Sequence, residues 1–435
     1  MVARYVALSG TFVCCAGYVR AYRAYTFDIL VWREFLETIM SGLSAEISSI
    51  VNEAMAQGVI GGGVVLVQQN GQLVDLQAHG HADFDPSFKI GTDSVFGIMS
   101  MTKPFAAACA MILLSEGRLK LDDKVSQYIP EFSKPRIVRT LKPGYVYPPF
   151  PPIPGQPPAA EPEYDTVPAR ADITVRHILS FTSGLQTIGV PNGLPVQGPE
   201  DTLASYVAKL GDAPLEFEPG TQWHYSNATG YDILGRIIEV ASGVSFPDFA
   251  RTRLLEPLGM NQTRFGNDPA HADQTVPLGP LADTPVARPD YPSGSAGLFS
   301  TAEDYARFAQ MLLDGGLWQG KRVMAAEAVV AMQTDQLGDV PFEGIRVSQY
   351  AKPVHSRHTA FTYGYGVGIL KQQSPDEALP EGSFGWDGVG TRRFWVVPAL
   401  RLVIVMLMPG LGVEAEPVHK QIEAAVVRWA KTATD

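Results

Sequence analysis

From Ser41 onward, apolar side chains recur at helical spacing at Leu43, Ile47, Ile50, Val51 and Met55, until Gly58 breaks the pattern. A stripe of that period predicts an amphipathic first helix reaching about Gln57. Gly61-Gly62-Gly63 then leads into Val64-Val65-Leu66-Val67, and Asn70-Gly71 is a hairpin-turn signal before Gln72 to Ala78. This arrangement predicts an antiparallel strand pair. Phe105 to Leu114 is continuously small and apolar, so the helix opening near Ser100 and ending around Gly117 is expected to be buried on all sides.

Between Pro135 and Pro168 the pattern dissolves into proline, with Pro148-Pro149-Phe150-Pro151-Pro152 and Pro157-Pro158 as its densest part. Such a stretch cannot continue a helix or central strand, and residues 135–168 are expected to form an extended, polyproline-like surface insertion. Helical patterns follow at Thr174–Phe181, Thr202–Lys209, Asn227–Ala241, Phe246–Leu255 and Thr301–Leu313. Tyr365–Leu370, Arg393–Val397 and Leu402–Met408 are short β-prone runs, the last apolar throughout, before a final helix from about Glu414 to Lys431.

Strands near both ends with helices between them predict an α+β fold. One antiparallel sheet is built from the N- and C-terminal segments and flanked by helices, and a mostly helical lobe is inserted in the middle. The sheet lobe covers about 41–95 and 360–431, and the helical lobe about 96–359. A chain of 435 residues exceeds the size at which a single core stops growing, which agrees with two interleaved lobes.

Charge narrows the function classes. The 45 Asp+Glu outnumber 34 Lys+Arg for a formal net charge of −11, and no dense basic run occurs, which argues against a nucleic-acid partner. Three cysteines, two of them adjacent at Cys14-Cys15, give no disulfide framework, and Cys109 is expected in the core. His79-Gly80-His81 and His355-Ser356-Arg357-His358 have ligand-like spacing, but no zinc-site set accompanies them, so no metal and no cofactor is expected.

Three readings fit residues 1–39, where the apolar stretch Tyr5–Val19 follows a single basic residue, Arg4. It is a dispensable extension, a secretory leader, or an ordered addition to the domain of residues 40–431. The stretch is too short and interrupted to span a bilayer. A cytoplasmic location is expected, or a periplasmic or secreted one if residues 1–39 act as a leader.

The chemistry-bearing residues begin with Ser100-Met101-Thr102-Lys103, the only Ser-x-x-Lys in the chain. On a helix this spacing puts a lysine on the face of the serine, where a desolvated, neutral amine can take the hydroxyl proton. An exposed Ser and Lys on an ordinary helix is the plainer alternative. No Gly-x-Ser-x-Gly elbow is present. Tyr225-Ser226-Asn227 offers a tyrosine that a nearby ammonium would hold partly as phenolate, to act as general base, and an asparagine able to brace it. Its alternative is a helix start with an Asn cap. Gly385-Trp386-Asp387-Gly388-Val389-Gly390 lets backbone approach a ligand before the strand Arg393–Val397, or is a glycine-rich turn.

In this order, the three motifs resemble the signature of the penicillin-recognising serine hydrolases. The chain is similar to the class C β-lactamase superfamily, most closely to its esterase branch, the family VIII carboxylesterases. The resemblance extends through Asp172–Leu179, Phe181-Thr182-Ser183-Gly184-Leu185, Phe217-Glu218-Pro219-Gly220, Glu256-Pro257-Leu258-Gly259-Met260 and Gly294–Thr301. It implies a β-lactamase-like fold and acyl transfer through a covalent Ser100 ester. Lys103 and Tyr225 would handle protons, and the N–H groups of Ser100 and Val389 would form the oxyanion hole. Asn227, Trp386, Asp387 and Gly388 would line the substrate site.

In the β-lactamases the third motif is Lys-Thr-Gly, and its lysine, in the place of Trp386, supplies a cation close to the substrate carboxylate. Tryptophan cannot, so small, neutral, short-chain esters are expected to be favoured over anionic lactams, with β-lactamase activity at most weak. Asp387 would repel an anionic substrate if it faces the cleft, or it points away along the strand. Relatives with the same motifs act as lactamases, D-amino-acid peptidases, transesterases or amide-oligomer hydrolases, and a non-catalytic scaffold is the alternative outside enzymes.

Overall fold

The computed structural model describes residues 42–142, 163–186, 193–342, 360–373, 377–389, 391–410 and 415–432. Helix α1 (residues 42–56) buries Leu43, Ile47, Val51 and Ala54 and is followed by Gly58 at φ 70°. Strands β1 (Gly62–Gln69) and β2 (Gln72–Ala82) form the hairpin across Asn70-Gly71, where both turn residues have positive φ. That is the backbone a tight hairpin turn requires. A short edge strand, β3 (Asp85–Lys89), pairs with β2.

The helical lobe is built on α2 (Thr102–Ser115), every residue of which from Thr102 to Leu113 is buried. Cys109 lies within that buried stretch. Strands β4 (Ile137–Leu141) and β5 (Tyr164–Pro168) pair antiparallel from Ile137↔Pro168 to Leu141↔Tyr164. The flanks of the proline-rich segment therefore form a two-stranded ribbon, not the polyproline-like extension expected through all of 135–168. Its two strands have few prolines, so their N–H groups remain free to pair. The densest proline stretch, Pro148–Pro158, lies outside the described residues.

Helices α3 (Val175–Leu179), α4 (Leu203–Leu210), α5 (Gly230–Ser242) and α6 (Ala302–Leu313) follow. The expected helix Phe246–Leu255 forms and runs on to Leu258, with a π turn within it. An α-helical turn, Phe246–Ala250, passes into a π turn, Arg251–Leu255, and stops at Gly259 with φ 69°.

Strands β6 (Phe361–Tyr363), β7 (Gly368–Leu370), β8 (Phe384–Gly388), β9 (Arg392–Val397) and β10 (Leu402–Leu407) complete an eight-stranded antiparallel sheet before helix α7 (Glu416–Thr432). Its strand order is β6-β7-β8-β9-β10-β1-β2-β3, and β1 pairs with β10 from Val64↔Leu407 to Gln69↔Leu402. Strands from early and late in the chain thus pair in the middle of the sheet, as expected. Two features differ from the sequence reading. The run Tyr365–Leu370 is shortened because Gly366 adopts φ 88°, and the glycine-rich segment at 385–388 is itself a strand.

Alternation along these strands separates two cores. Val64, Leu66, Phe384, Trp386, Phe394, Val405 and Leu407 face the helical lobe. Val65, Val67, Trp395, Ile404 and Met406 face the layer that includes Leu43 and Ile47 of α1 and Ile422 and Val426 of α7. Among the described residues no helix is long and apolar enough to cross a membrane.

Candidate active site

Ser100 is presented by a tied-down turn. The short strand Phe96–Gly97 pairs with Leu298–Ser300, and the Ile98 N–H donates to the Leu298 carbonyl at 2.9 Å. The chain then enters a single 3-10 turn at Met99, which has φ 50°, a left-handed conformation that costs about 1–2 kcal/mol for a side chain of this kind. The Tyr305 hydroxyl donates to the Met101 carbonyl, and the Leu298 N–H donates to Thr102 Oγ1. These bonds hold Ser100 at the entrance to α2.

Three residues on, Lys103 returns to the same face, with Nζ 2.9 Å from Ser100 Oγ and donating to the Ser295 carbonyl at 2.8 Å. The lysine is completely buried. Loss of hydration pulls its ammonium down to about 7, against the opposing pull of the Asp232 charge. A neutral amine beside the serine hydroxyl is therefore accessible near neutral pH.

The Tyr225 hydroxyl donates to Ser100 Oγ from the other side, at 2.7 Å. Its ring stands edge-on to Phe181 at 4.9 Å and to Trp386 at 5.5 Å, and Lys103 Nζ lies 4.9 Å from its centroid. The sequence predicts a partial phenolate at Tyr225, and burial works against it. Burial pushes the phenol well above its ordinary range, outweighing the favourable contacts from Ser100 and Trp386, while Asp387 pushes it further up. Burial thus favours the neutral phenol as a donor to Ser100 and eases deprotonation of Lys103.

Strand β8 brings the third motif to the same point. Trp386 faces inward, its ring 5.1 Å from Tyr363 and 6.4 Å from Phe181, in an aromatic wall that Trp223 extends. Its indole N–H lies close enough to Tyr225 to favour the phenolate, without completing a hydrogen bond of ordinary geometry. Asp387, one residue on, faces the opposite side of the sheet, where Arg393 grips both carboxylate oxygens at 2.7 Å. The expectation that Asp387 lines the substrate site is thereby corrected: strand alternation carries it out of the cleft.

A Cβ on Gly388 would stand 2.4 Å from the Ile98 carbonyl oxygen, so only glycine lets the end of β8 seat against the serine-bearing turn. Val389 is exposed and accepts a bond from Arg392 Nη1 at 2.9 Å. Gly390 lies outside the described residues. Asn227 is half-buried in the turn that leads to α5.

Sequence reasoning assigned no role to Ser295 or to Asp232, which accepts from the Ser295 N–H at 3.0 Å and from the Ser293 and Tyr291 hydroxyls at 2.6 Å. A signal existed for both. Ser295 lies in the block Gly294–Thr301, and Asp232 is a carboxylate among the apolar residues of α5.

Among the described residues no group of three or more His, Cys, Asp or Glu side chains could hold a metal ion. His79 contacts Gln77, and His355 and His358 lie outside the described residues.

Comparison with known proteins bears on the fold and the family. The β-lactamase family model matches residues 47–427. The protein Rv1367c of Mycobacterium tuberculosis is 31% identical over 399 residues, covering 84% of this chain and 90% of its own length. Esterase EstB of Burkholderia gladioli is 24% identical over 408 residues with the same two coverages. The solved structure of EstCE1, described as a hydrolase with promiscuous acyltransferase activity, superposes with a TM-score of 0.67. It is 22% identical over 89% of this chain and 99% of its own.

Proposed function

Since the chain belongs to the β-lactamase family of serine hydrolases, we propose that it is a carboxylesterase that cleaves small, neutral, short-chain esters through an acyl-Ser100 intermediate. The observation that carries this reading is the convergence on Ser100 Oγ of Lys103 Nζ at 2.9 Å and the Tyr225 hydroxyl at 2.7 Å. As Ser100 Oγ attacks the ester carbonyl, its proton passes to neutral Lys103. The resulting oxyanion is received by the N–H groups of Ser100 and Val389. Collapse breaks the bond to the alcohol, whose oxygen takes a proton from Tyr225, and Lys103 returns one to the phenolate. Water then attacks the acyl group by the same proton route in reverse.

The choice of ester over lactam rests on Trp386. An indole offers an apolar, aromatic wall and no positive charge for a substrate carboxylate. The esterase EstB among its relatives favours the same reading. The test is turnover of p-nitrophenyl acetate and butyrate, with nitrocefin alongside and Ser100→Ala as control. Fluorophosphonate labelling should occur in the parent and vanish in Ser100→Ala. Ester turnover that survives in Ser100→Ala would sink the mechanism, and nitrocefin cleaved faster than the esters would overturn the substrate class.

A further inference from the structure

The residue behind the candidate base is as closely organised as the base itself. Asp232 is completely buried, on the first turn of α5, and every donor it meets comes from the segment Tyr291–Ser295: two hydroxyls at 2.6 Å and the Ser295 N–H at 3.0 Å. The other end of residue Ser295 accepts from Lys103 Nζ at 2.8 Å. One residue therefore links a buried carboxylate to a buried lysine, gripped at its N–H by the first and at its carbonyl by the second. Ser293 Oγ also receives the N–H groups of Ser295 and Ala296, at 3.2 Å each, so the turn has little freedom to move its carbonyl. Gly294 sits tight against the Tyr231 backbone, where a Cβ would come within 2.2 Å of the carbonyl oxygen.

From this geometry, and resting on the serine–lysine reading above, we propose that Asp232 is a positioning residue. It supplies the buried counter-charge of Lys103 and fixes the Ser295 carbonyl that aims the lysine at Ser100. Three donors are what an ionised carboxylate needs in a dry interior. They oppose, without cancelling, the burial that raises its proton affinity. The titratable groups that face Asp232 are Lys103, Tyr206 and Tyr291. Burial lifts Tyr206 to about 12 and Tyr291 further, so both phenols stay neutral and Asp232 is the charge that Lys103 feels. Around Lys103 itself stand Ser100, Tyr225 and Asp232.

A purely structural role and this one separate in the pH profile. Asp232→Asn keeps the shape and lets the amide accept from Ser295 while donating to Tyr291. Asp232→Ser removes the charge by a second route. Ser293→Ala cuts bonds in the same turn and keeps the charge. In kcat/KM for p-nitrophenyl butyrate, the acidic limb of either charge-removing variant should move about one pH unit lower, while that of Ser293→Ala stays with the parent.

A limb that does not move in folded Asp232→Asn or Asp232→Ser overturns the proposal, as does an equal shift in Ser293→Ala. Failure of both Asp232 variants to fold while Ser293→Ala folds would make the residue structural. Fluorophosphonate labelling of parent Ser100 is measured first. Its absence would strike the hydrolase reading and not the assignment of Asp232.

Discussion

Lys103 and Tyr225 meet the same atom, Ser100 Oγ, from two sides, and burial disfavours the charged form of each. For lysine this means an amine drawn down to about 7, for tyrosine a phenol pushed well up. The pair therefore divides into one acceptor and one donor before substrate arrives. With Lys103 as the only base at the serine, kcat/KM for a neutral ester should rise along a single limb with its midpoint near 7. The sign follows from the amine: below that value it carries the proton and cannot take another. Lys103→Arg, charged throughout, should lose at least about a thousandfold. A profile flat from about pH 5 to about pH 9 would remove Lys103 from the proton path.

Tyr225→Phe takes away a donor and leaves the ring. Because the ring is held by Phe181 and Trp386, the fold should survive and the thermal midpoint should change little. The expected loss in kcat is about 10²- to 10⁴-fold, the range for a positioned proton donor. It should be smaller for esters of p-nitrophenol than for esters of ethanol, since nitrophenolate leaves without protonation. Equal losses for the two leaving groups would contradict the assignment of Tyr225 to the leaving oxygen.

Gly388→Ala tests the seating of β8. The added methyl would meet the Ile98 carbonyl at 2.4 Å, and that backbone belongs to the turn that carries Ser100. Either the strand end or the turn must retreat, so turnover should fall by at least about tenfold through misplacement of the N–H donors. Fluorophosphonate labelling of Ser100 should slow in parallel. Wild-type rates in this variant would show that β8 does not need to approach the serine.

The sheet and the serine were legible because their signals are local. Asn70-Gly71 marks a hairpin wherever it lies between β-prone runs, and a lysine three residues after a serine shares its helical face in any fold. What stayed hidden depended on facts that no short window contains. The orientation of Asp387 follows from strand phase, yet the glycines at 385 and 388 made the segment look like a turn. The charge state of Tyr225 turned on whether Lys103 would be solvated enough to stay an ammonium. That is settled by α2 being covered from all sides, chiefly by elements more than a hundred residues away. Asp232 acts on the lysine through its charge and through the Ser295 peptide, and a contact relayed across sixty-three positions leaves no spacing to read.

The outward turn of Asp387 makes its own prediction. Its carboxylate shares Arg393 with Glu416 and Glu423, so Asp387→Asn leaves the arginine paired and should cost only about 1–2 kcal/mol of stability. More usefully, the preference between p-nitrophenyl butyrate and the p-nitrophenyl hemiester of succinate should stay within about twofold of the parent's. Were the carboxylate in the cleft, removing a like charge from the path of an anionic substrate would shift that ratio by about tenfold or more.

His419, on α7, gives a stability test that does not involve catalysis. Its Nε2 lies 3.2 Å from the carbonyl of Thr391, the residue between β8 and β9 with φ 70°. Burial first, and then the neighbouring Arg393 charge, lower its imidazole from 6.5 to about 3. Between those two values the unfolded chain binds a proton that the folded protein refuses. The contribution of this group is therefore fully present above about 6.5 and is lost as the pH falls toward 3. The slope it adds approaches about 1.4 kcal/mol per pH unit. His419→Gln keeps a donor for Thr391 and does not titrate. Thermal midpoints of parent and variant, measured from about pH 7 down to about pH 4, should diverge as acid is added, with the parent falling faster. Parallel curves would mean that His419 is already charged in the fold.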